Sequence, residues 1–211
     1  SNPTHVGGFA PADDDVLAVD AQGDRLYAAG FLGIVYVLDI TNRAQPVNAT
    51  PLGAVNLPSV FRLNVVDGVG IGTSRNGGFS AYRVNFPNTP FPVASRNPAN
   101  FAIDVTTSGE RSYLGTSGTL EILDTSDVTN PTLLGTHPSF AGAIEVDGTT
   151  VYTADLTGPF EILDVQDPAN PTVVGSFTKA GSVGASAVDV DADLAVVAFE
   201  AQGLTLLDIS D

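Results

Sequence analysis

The stretch Phe160-Glu-Ile-Leu-Asp164-Val-Gln-Asp-Pro-Ala-Asn-Pro171-Thr-Val-Val-Gly175 decides the architecture, because the chain says it more than once. Leu120-Glu-Ile-Leu-Asp124 leads to Asp127 and then to Asn130-Pro131-Thr-Leu-Leu-Gly135. Val35-Tyr-Val-Leu-Asp39 leads to Pro46, and Leu204-Thr-Leu-Leu-Asp208 leads to Asp211, the last residue. Phe79-Ser-Ala-Tyr-Arg83, followed by Pro90, is a degenerate copy. The equivalent positions Asp39, Arg83, Asp124, Asp164 and Asp208 recur at about 42 residues, a period that marks a repeat architecture.

Each unit reads as four short strands. In the fourth, Ala143-Ile-Glu-Val146 alternates and Asp147-Gly148 turns. Val151–Ala154, Phe160–Leu163 and Pro171–Phe177 follow. Gly, Asp-Gly and Asn-Pro punctuate β-rich runs, and no segment keeps a 3.6-residue period. Four strands per repeat is the make-up of a β-propeller blade. Joining Asp211 to Ser1-Asn2-Pro3-Thr4 restores the repeated phrase, one residue short. A closed ring explains a repeat divided between the two ends, since pairing first and last strands in one sheet ties it shut. The expectation is an all-β, five-bladed β-propeller with four antiparallel strands per blade. It forms one domain over 1–211, with blades near 14–53, 60–95, 100–136, 142–177 and 185–211 plus 3–9. The N-terminal strand pairs in the last blade.

The phrase resembles the LVIVD repeat of bacterial and archaeal surface proteins. Phe160 to Pro171 carries the resemblance most fully, and Asp104-Val105 to Gly109 is similar to the leading strand of that repeat. The likeness is strong in units one, three, four and five and weak in unit two. It implies a propeller, an extracytoplasmic location and a neighbouring anchor, and it implies no reaction.

Composition narrows the partners. The 24 Asp+Glu against 8 Lys+Arg give a formal charge of −16, which leaves no basic stripe for nucleic acid. No apolar run reaches the roughly 20 residues that cross a bilayer, so direct membrane insertion is not expected. Without Cys there is no disulfide, thiol nucleophile or Cys–zinc site. Without Met the chain reads as a processed or excerpted product, with any leader, anchor or further domain outside it. The acidity fits a secreted or cell-surface setting, in a saline or marine host.

Catalytic signatures are thin. The two His, His5 and His137, sit in strand contexts away from a nucleophile motif. Gly68-Val-Gly-Ile-Gly72 precedes no helix and is no nucleotide fingerprint. The Asp-x-x-Asp pairs at Asp124/Asp127, Asp164/Asp167 and Asp208/Asp211 read as turn caps rather than calcium ligands, because a motif shared by several blades is scaffold.

Loops divide between two faces. By that division the acids concentrate where the Asp-x-x-Asp turns lie. The face of the blade-to-blade loops is near neutral and carries or adjoins Phe9, Phe61, Phe101, Phe140 and Phe177, which either plug gaps between blades or form a recognition surface. A protein or glycan is expected to dock on this face. Candidate ligand-binding residues there are Asp13, Asp14, Asp15, Arg75, Asn76, Phe140, Asp155 and Glu200. Glu145 and Asp189 join them from the innermost strands, where Ala18, Val65 and Thr106 are read as equivalent. Asp13-Asp14-Asp15 is either a solvated loop or a calcium site, calcium being the one cofactor the sequence suggests. The leading function is a non-catalytic binding module. The alternatives are a carboxylate-dependent glycoside hydrolase or lyase using Glu145 and Asp189, and a structural subunit of a surface assembly or filament.

Overall fold

The computed structural model describes residues 8–42, 47–51, 60–66, 68–74, 78–84, 91–98 and 100–210, without the side chains of 47–51, 61, 91 and 201. The chain divides into two compact units, Ser1–Ser95 and Arg96–Asp211.

The first unit holds two antiparallel sheets, each in chain order. One contains β1 (Val16–Gln22), β2 (Arg25–Gly30), β3 (Val35–Asp39) and β4 (Val47–Pro51). The other contains β5 (Val60–Val66), β6 (Val69–Ser74), β7 (Gly78–Arg83) and β8 (Phe91–Arg96). The second unit holds a six-stranded sheet of β9 (Ala102–Ser108), β10 (Arg111–Asp124), β11 (Thr132–Asp147), β12 (Thr150–Asp155), β13 (Phe160–Asp164) and β14 (Thr172–Phe177). Its other sheet is β15 (Ala187–Asp191), β16 (Leu194–Phe199) and β17 (Gly203–Asp208), with a short 3-10 turn at Glu200–Gln202.

Two of these strands are longer than the four-strand repeat predicts. β10 folds back on itself: Thr125 N donates to Glu110 O (2.8 Å), the Ser112 and Thr125 hydroxyls meet at 3.1 Å, and Thr119 N donates to Thr116 Oγ1 (3.0 Å). It therefore supplies both inner strands of repeat three. β11 pairs with β10 from Thr132 to Phe140 and with β12 from Ala141 to Asp147, so it closes repeat three and opens repeat four. Four repeats thus express the four-strand meander read from the sequence, two of them within the six-stranded sheet, and the last shows three strands among the described residues. Residues 3–7, expected as the missing strand, lie outside the described residues; Gly8 and Phe9 are not in a strand.

Two-residue turns join the first and second strands of a repeat. Their first residue has positive φ: Gly23 (59°), Gly109 (58°), Gly148 (57°) and, in the last repeat, Ala192 (51°). Such turns match the twist of antiparallel strands, and glycine takes that φ without strain. Between β5 and β6 the positive φ falls instead on the second turn residue, Gly68 (75°). Gly72 lies within β6, where a β-carbon would approach Val60 Cγ1 to 2.9 Å. The glycine-rich run is thus a turn followed by a close strand crossing.

In the first three repeats the second and third strands are buried along most of their length, whereas in the last sheet β16 alternates and β17 is largely exposed. In the first unit Tyr27, Ala29, Val35 and Val37 pack with Val60, Leu63, Val65 and Tyr82. In the second, Leu120 and Ile122 pack with Ile144, Val151 and Leu163, and Tyr152 and Phe160 pack with Val188, Val197 and Phe199. No helix among the described residues is long and apolar enough to cross a membrane.

Candidate functional site

Among the described candidates, Asp155 and Glu200 lie at the ends of second strands and Asp13, Asp14, Asp15 and Phe140 at the entries to first strands, and in three repeats one backbone bond ties these two ends together. Phe31 N donates to Asp15 O (2.8 Å), Ser117 N to Phe101 O (2.9 Å) and Leu156 N to Phe140 O (3.0 Å). Each bond joins the end of a second strand to the entry of its own first strand.

Polar side chains complete the same loop. The Asp14 carboxylate accepts from Leu32 N (2.9 Å) and Tyr36 OH (3.3 Å). The Asp155 carboxylate accepts from Phe140 N (2.7 Å), Thr157 N (2.8 Å), Ser139 Oγ (3.2 Å) and Thr157 Oγ1 (3.2 Å), at 9% exposure. Counted from the strand turns, Leu32 and Thr157 are the same position, so a carboxylate ahead of the first strand in one repeat and one at the end of the second strand in another satisfy the same backbone donor. A carboxylate holding this many donors is a loop staple. Ser139 is bound to Asp155, and among the described residues no histidine bond reaches either.

This changes the reading of Asp13-Asp14-Asp15. Asp13 and Asp15 are exposed, Asp14 turns inward, and among the described residues no three His, Cys, Asp or Glu converge to hold a metal. The run is a loop whose middle residue is structural, and the calcium expectation finds no ligand set in it. Glu200 is exposed in the 3-10 turn and Phe140 is half-buried. Arg75 and Asn76 lie outside the described residues.

Of the five phenylalanines expected near these loops, Phe101 is exposed, at 58%. Phe9 packs on Tyr36 with ring centres 5.2 Å apart, and Phe177 of repeat four packs on Phe199 of repeat five at 5.9 Å, filling the gap between those two repeats. The Phe61 side chain lies outside the described residues. Phe31, Leu32 and Val183, not singled out from the sequence, are exposed at the same loop ends. Their signal was position: each follows a second strand or precedes a first strand, where the backbone staples leave side chains pointing outward.

The innermost strands hold polar residues, with two corrections of register. Tyr27, Ile71, Tyr113, Tyr152 and Val196 pair with Asp20, Asn64, Thr106, Glu145 and Asp189. Asp20 and Asn64, not Ala18 and Val65, are therefore the equivalents in the first and second repeats. A register shift between Val16 and Ala18 puts a count made from the start of that strand out of step. The Asp20 carboxylate accepts from Val65 N, and the buried Asp104 carboxylate accepts from Ile144 N (2.8 Å). Each pins the first strand of the following repeat. Glu145 is half-buried; burial, then Asp189, then Asp104 raise its pKa above the usual carboxylate value. Asp189 is exposed. These two candidates therefore share a field in the second unit.

A further series joins successive repeats. Arg96 is ion-paired with the buried Glu121, His137 Nε2 meets Glu161 Oε2 at 2.9 Å, and Lys179 Nζ donates to Thr205 Oγ1 (3.0 Å) and Gln202 O (2.8 Å). Glu121, Glu161 and Thr205 are the equivalent third-strand positions. Arg96 and His137, with Phe9 and Phe177, occupy one position counted from the Pro of the repeat. Aligning these positions across repeats was the signal that could have found the clasps.

The Asp-x-x-Asp motifs are turn caps, as expected. Asp39, Asp124, Asp127, Asp164, Asp167 and Asp208 each accept from the backbone N–H two residues on. Bonds from Thr41, Ser126, Thr129 and Ser210 hold Asp39, Asp124, Asp127 and Asp208 below the usual carboxylate range.

With the repeat seen in both its strands and its turns, comparison with known proteins is informative. LVIVD repeats match residues 101–137, 140–179 and 184–211. The chain belongs to the LVIVD-repeat family. The LVIVD repeat is of propeller type, in keeping with the stacked antiparallel sheets. No curated protein matches the chain. Among solved structures it is similar to the computationally designed Ika8 protein, with 12% identity and a TM-score of 0.58 over 93% of this chain and 72% of that one. At that identity the likeness concerns the fold alone.

Proposed function

We propose that this LVIVD-repeat chain is a non-catalytic extracellular or cell-surface binding module, a closed five-bladed propeller that recognises protein or glycan through its blade-to-blade loops. One observation carries the reading. The loops at these ends are stapled from within by Asp14, Asp155 and the backbone bonds, while Phe31, Leu32, Phe101 and Val183 are left exposed. Rigid loops that present apolar and aromatic side chains bind at low entropic cost. The acidic composition supports a setting outside the cell.

Two facts support the ring. β17 pairs with β16 alone among the described residues, and its Leu204 and Leu206 are 67% and 65% exposed. Phe9, at the position of Arg96 and His137, contacts the third strand of the first repeat as those residues contact theirs. The register of β10 with β11 pairs Glu121 with Thr136, and its counterpart in the last repeat is Thr205 with Gly8. In this chain without Cys, Gly8→Cys with Thr205→Cys forms an intramolecular disulfide if the ring closes.

The binding reading is tested on a glycan array, and by titration of the hits, with wild type, Phe31→Ser and Phe101→Ser. Loss of signal in either variant supports it. Unchanged binding in both, or a site mapped to the turns of Asp124 and Asp164, removes it.

A second reading, a carboxylate-dependent glycoside hydrolase or lyase, draws on the raised pKa of Glu145 beside Asp189. Release of sugar from a polysaccharide, abolished in Glu145→Gln and Asp189→Asn, would establish it.

A further inference from the structure

The clasps between successive repeats are equivalent in place and differ in chemistry. Arg96, His137 and Lys179 reach the third-strand residues Glu121, Glu161 and Thr205. Arginine and lysine keep their charge across the physiological range, whereas histidine changes charge between about pH 5 and 8. The second-strand residue opposite each third-strand group differs as well. Val197 pairs with Thr205, and Thr153 pairs with Glu161. Leu114, which follows Tyr113 as Thr153 follows Tyr152, holds the corresponding position in repeat three. The junction of repeats three and four thus combines the titratable clasp with a hydroxyl where the other two have an apolar side chain.

Thr153 is fully buried, and among the described residues its Oγ1 has no hydrogen-bond partner. It shares a strand face with Val151, which packs with Leu120 and Ile122 of repeat three. Its hydroxyl therefore lies at the junction, directly across the ladder from Glu161, at a spacing where cross-strand side chains touch. Glu161 reaches instead to His137 Nε2 (2.9 Å), with the two side chains 18% and 14% exposed. The other ionisable groups around the imidazole are engaged. From β12, Asp155 holds Ser139 Oγ and Phe140 N; from β10, Arg111 donates to Val165 O (3.1 Å), and Glu121, next to the ladder partner Leu120 of His137, is paired with Arg96.

We propose that Glu161 is a two-position switch, clasping His137 of the preceding repeat when the imidazole is protonated and turning to the Thr153 hydroxyl of its own repeat when the imidazole is neutral. In the clasped position Thr153 Oγ1 is left without a bond, which a buried hydroxyl resists. A charge-assisted bond to imidazolium is about twice as strong as a neutral one and overcomes that penalty; a bond to neutral imidazole lacks this advantage. His137 stands in β11 just ahead of Ser139 and Phe140. The entry to repeat four is therefore tied firmly to its third strand in acid, and the tie slackens as pH rises and the imidazole loses its proton.

The test is the change in Tm caused by Thr153→Val at about pH 5.5 and about pH 8, in the wild-type chain and in a His137→Leu chain. Groups that titrate elsewhere act on variant and parent alike and drop out of the difference. In the wild-type background the substitution should raise Tm by roughly 2 °C at the lower pH, where it removes an unpartnered hydroxyl. It should lower Tm by roughly 2 °C at the higher pH, where that hydroxyl holds Glu161. In the His137→Leu background it should lower Tm equally at both. An effect in the wild-type background that does not differ between the two pH values overturns the proposal. So does a pH-dependent effect that survives in His137→Leu, because another group then carries it. Thr153→Ala adds a packing loss that is the same at both pH values, so it should show the same difference between them and tests the switch if the valine variant fails to fold.

Discussion

The Asp14 carboxylate occupies the space where Gly30 would carry a β-carbon. From there it accepts from Leu32 N and Tyr36 OH. Gly30 is the first-repeat counterpart of Asp155, whose own carboxylate caps the same loop from the second strand. One polar group per loop suffices, and the residue opposite adapts to it. Asp14→Ala should cost about 1–3 kcal/mol, the price of a backbone donor left unsatisfied. Gly30→Ala should cost a similar amount by expelling the carboxylate. The two losses should be strongly non-additive in urea unfolding, because both delete one interaction. Additive losses would show that Asp14 and Gly30 act separately.

Glu121 is 5% exposed and carries a charge that only a strong partner offsets. Arg96 supplies it. Arg96→Met should destabilise the protein by about 3 kcal/mol, since it strands a buried carboxylate. Arg96→Met with Glu121→Met should recover most of that loss. Equal instability of the single and double variants in chemical denaturation would argue against the clasp.

The pH dependence has two opposing limbs. Asp39, Asp124, Asp127 and Asp208 are depressed below 3.8 by their turn hydrogen bonds. Their contribution is present above that value and is lost as pH falls through the folded-state values. Glu145 is raised above 4.5, so its contribution is complete below 4.5 and is lost as pH rises through its folded value. Stability should therefore decline on the acid side below about 4 and also on rising from about 4.5. Glu145→Gln should flatten the second limb and leave the first unchanged, as read by Tm across a pH series.

Ala192 adopts φ 51° at a turn position that glycine fills at Gly23, Gly109 and Gly148. A left-handed non-glycine residue is strained by about 1 kcal/mol. Ala192→Gly should raise Tm by roughly 2–4 °C. Gly148→Ala should lower it by a similar amount; no change in either would mean that the turn relaxes around alanine.

Periodicity alone was enough for the repeat, the four-strand grain of each unit, the turn duty of Asp124, Asp164 and Asp208, and the family. These are local properties: a two-residue turn needs positive φ, and an Asx cap needs an N–H two residues away, so neighbouring residues reveal them. The partners of Asp14, Glu121, His137 and Asp155 were not legible, because they lie across strands or in the next repeat, 16 to 25 residues away in sequence for most of these bonds. The same holds for Asp20, hidden by a strand irregularity, and for Phe31 and Leu32, whose exposure depends on which way a stapled loop turns. Side-chain chemistry names what a residue can do; which backbone donor stands opposite, and whether water reaches it, is set by how the sheets pack.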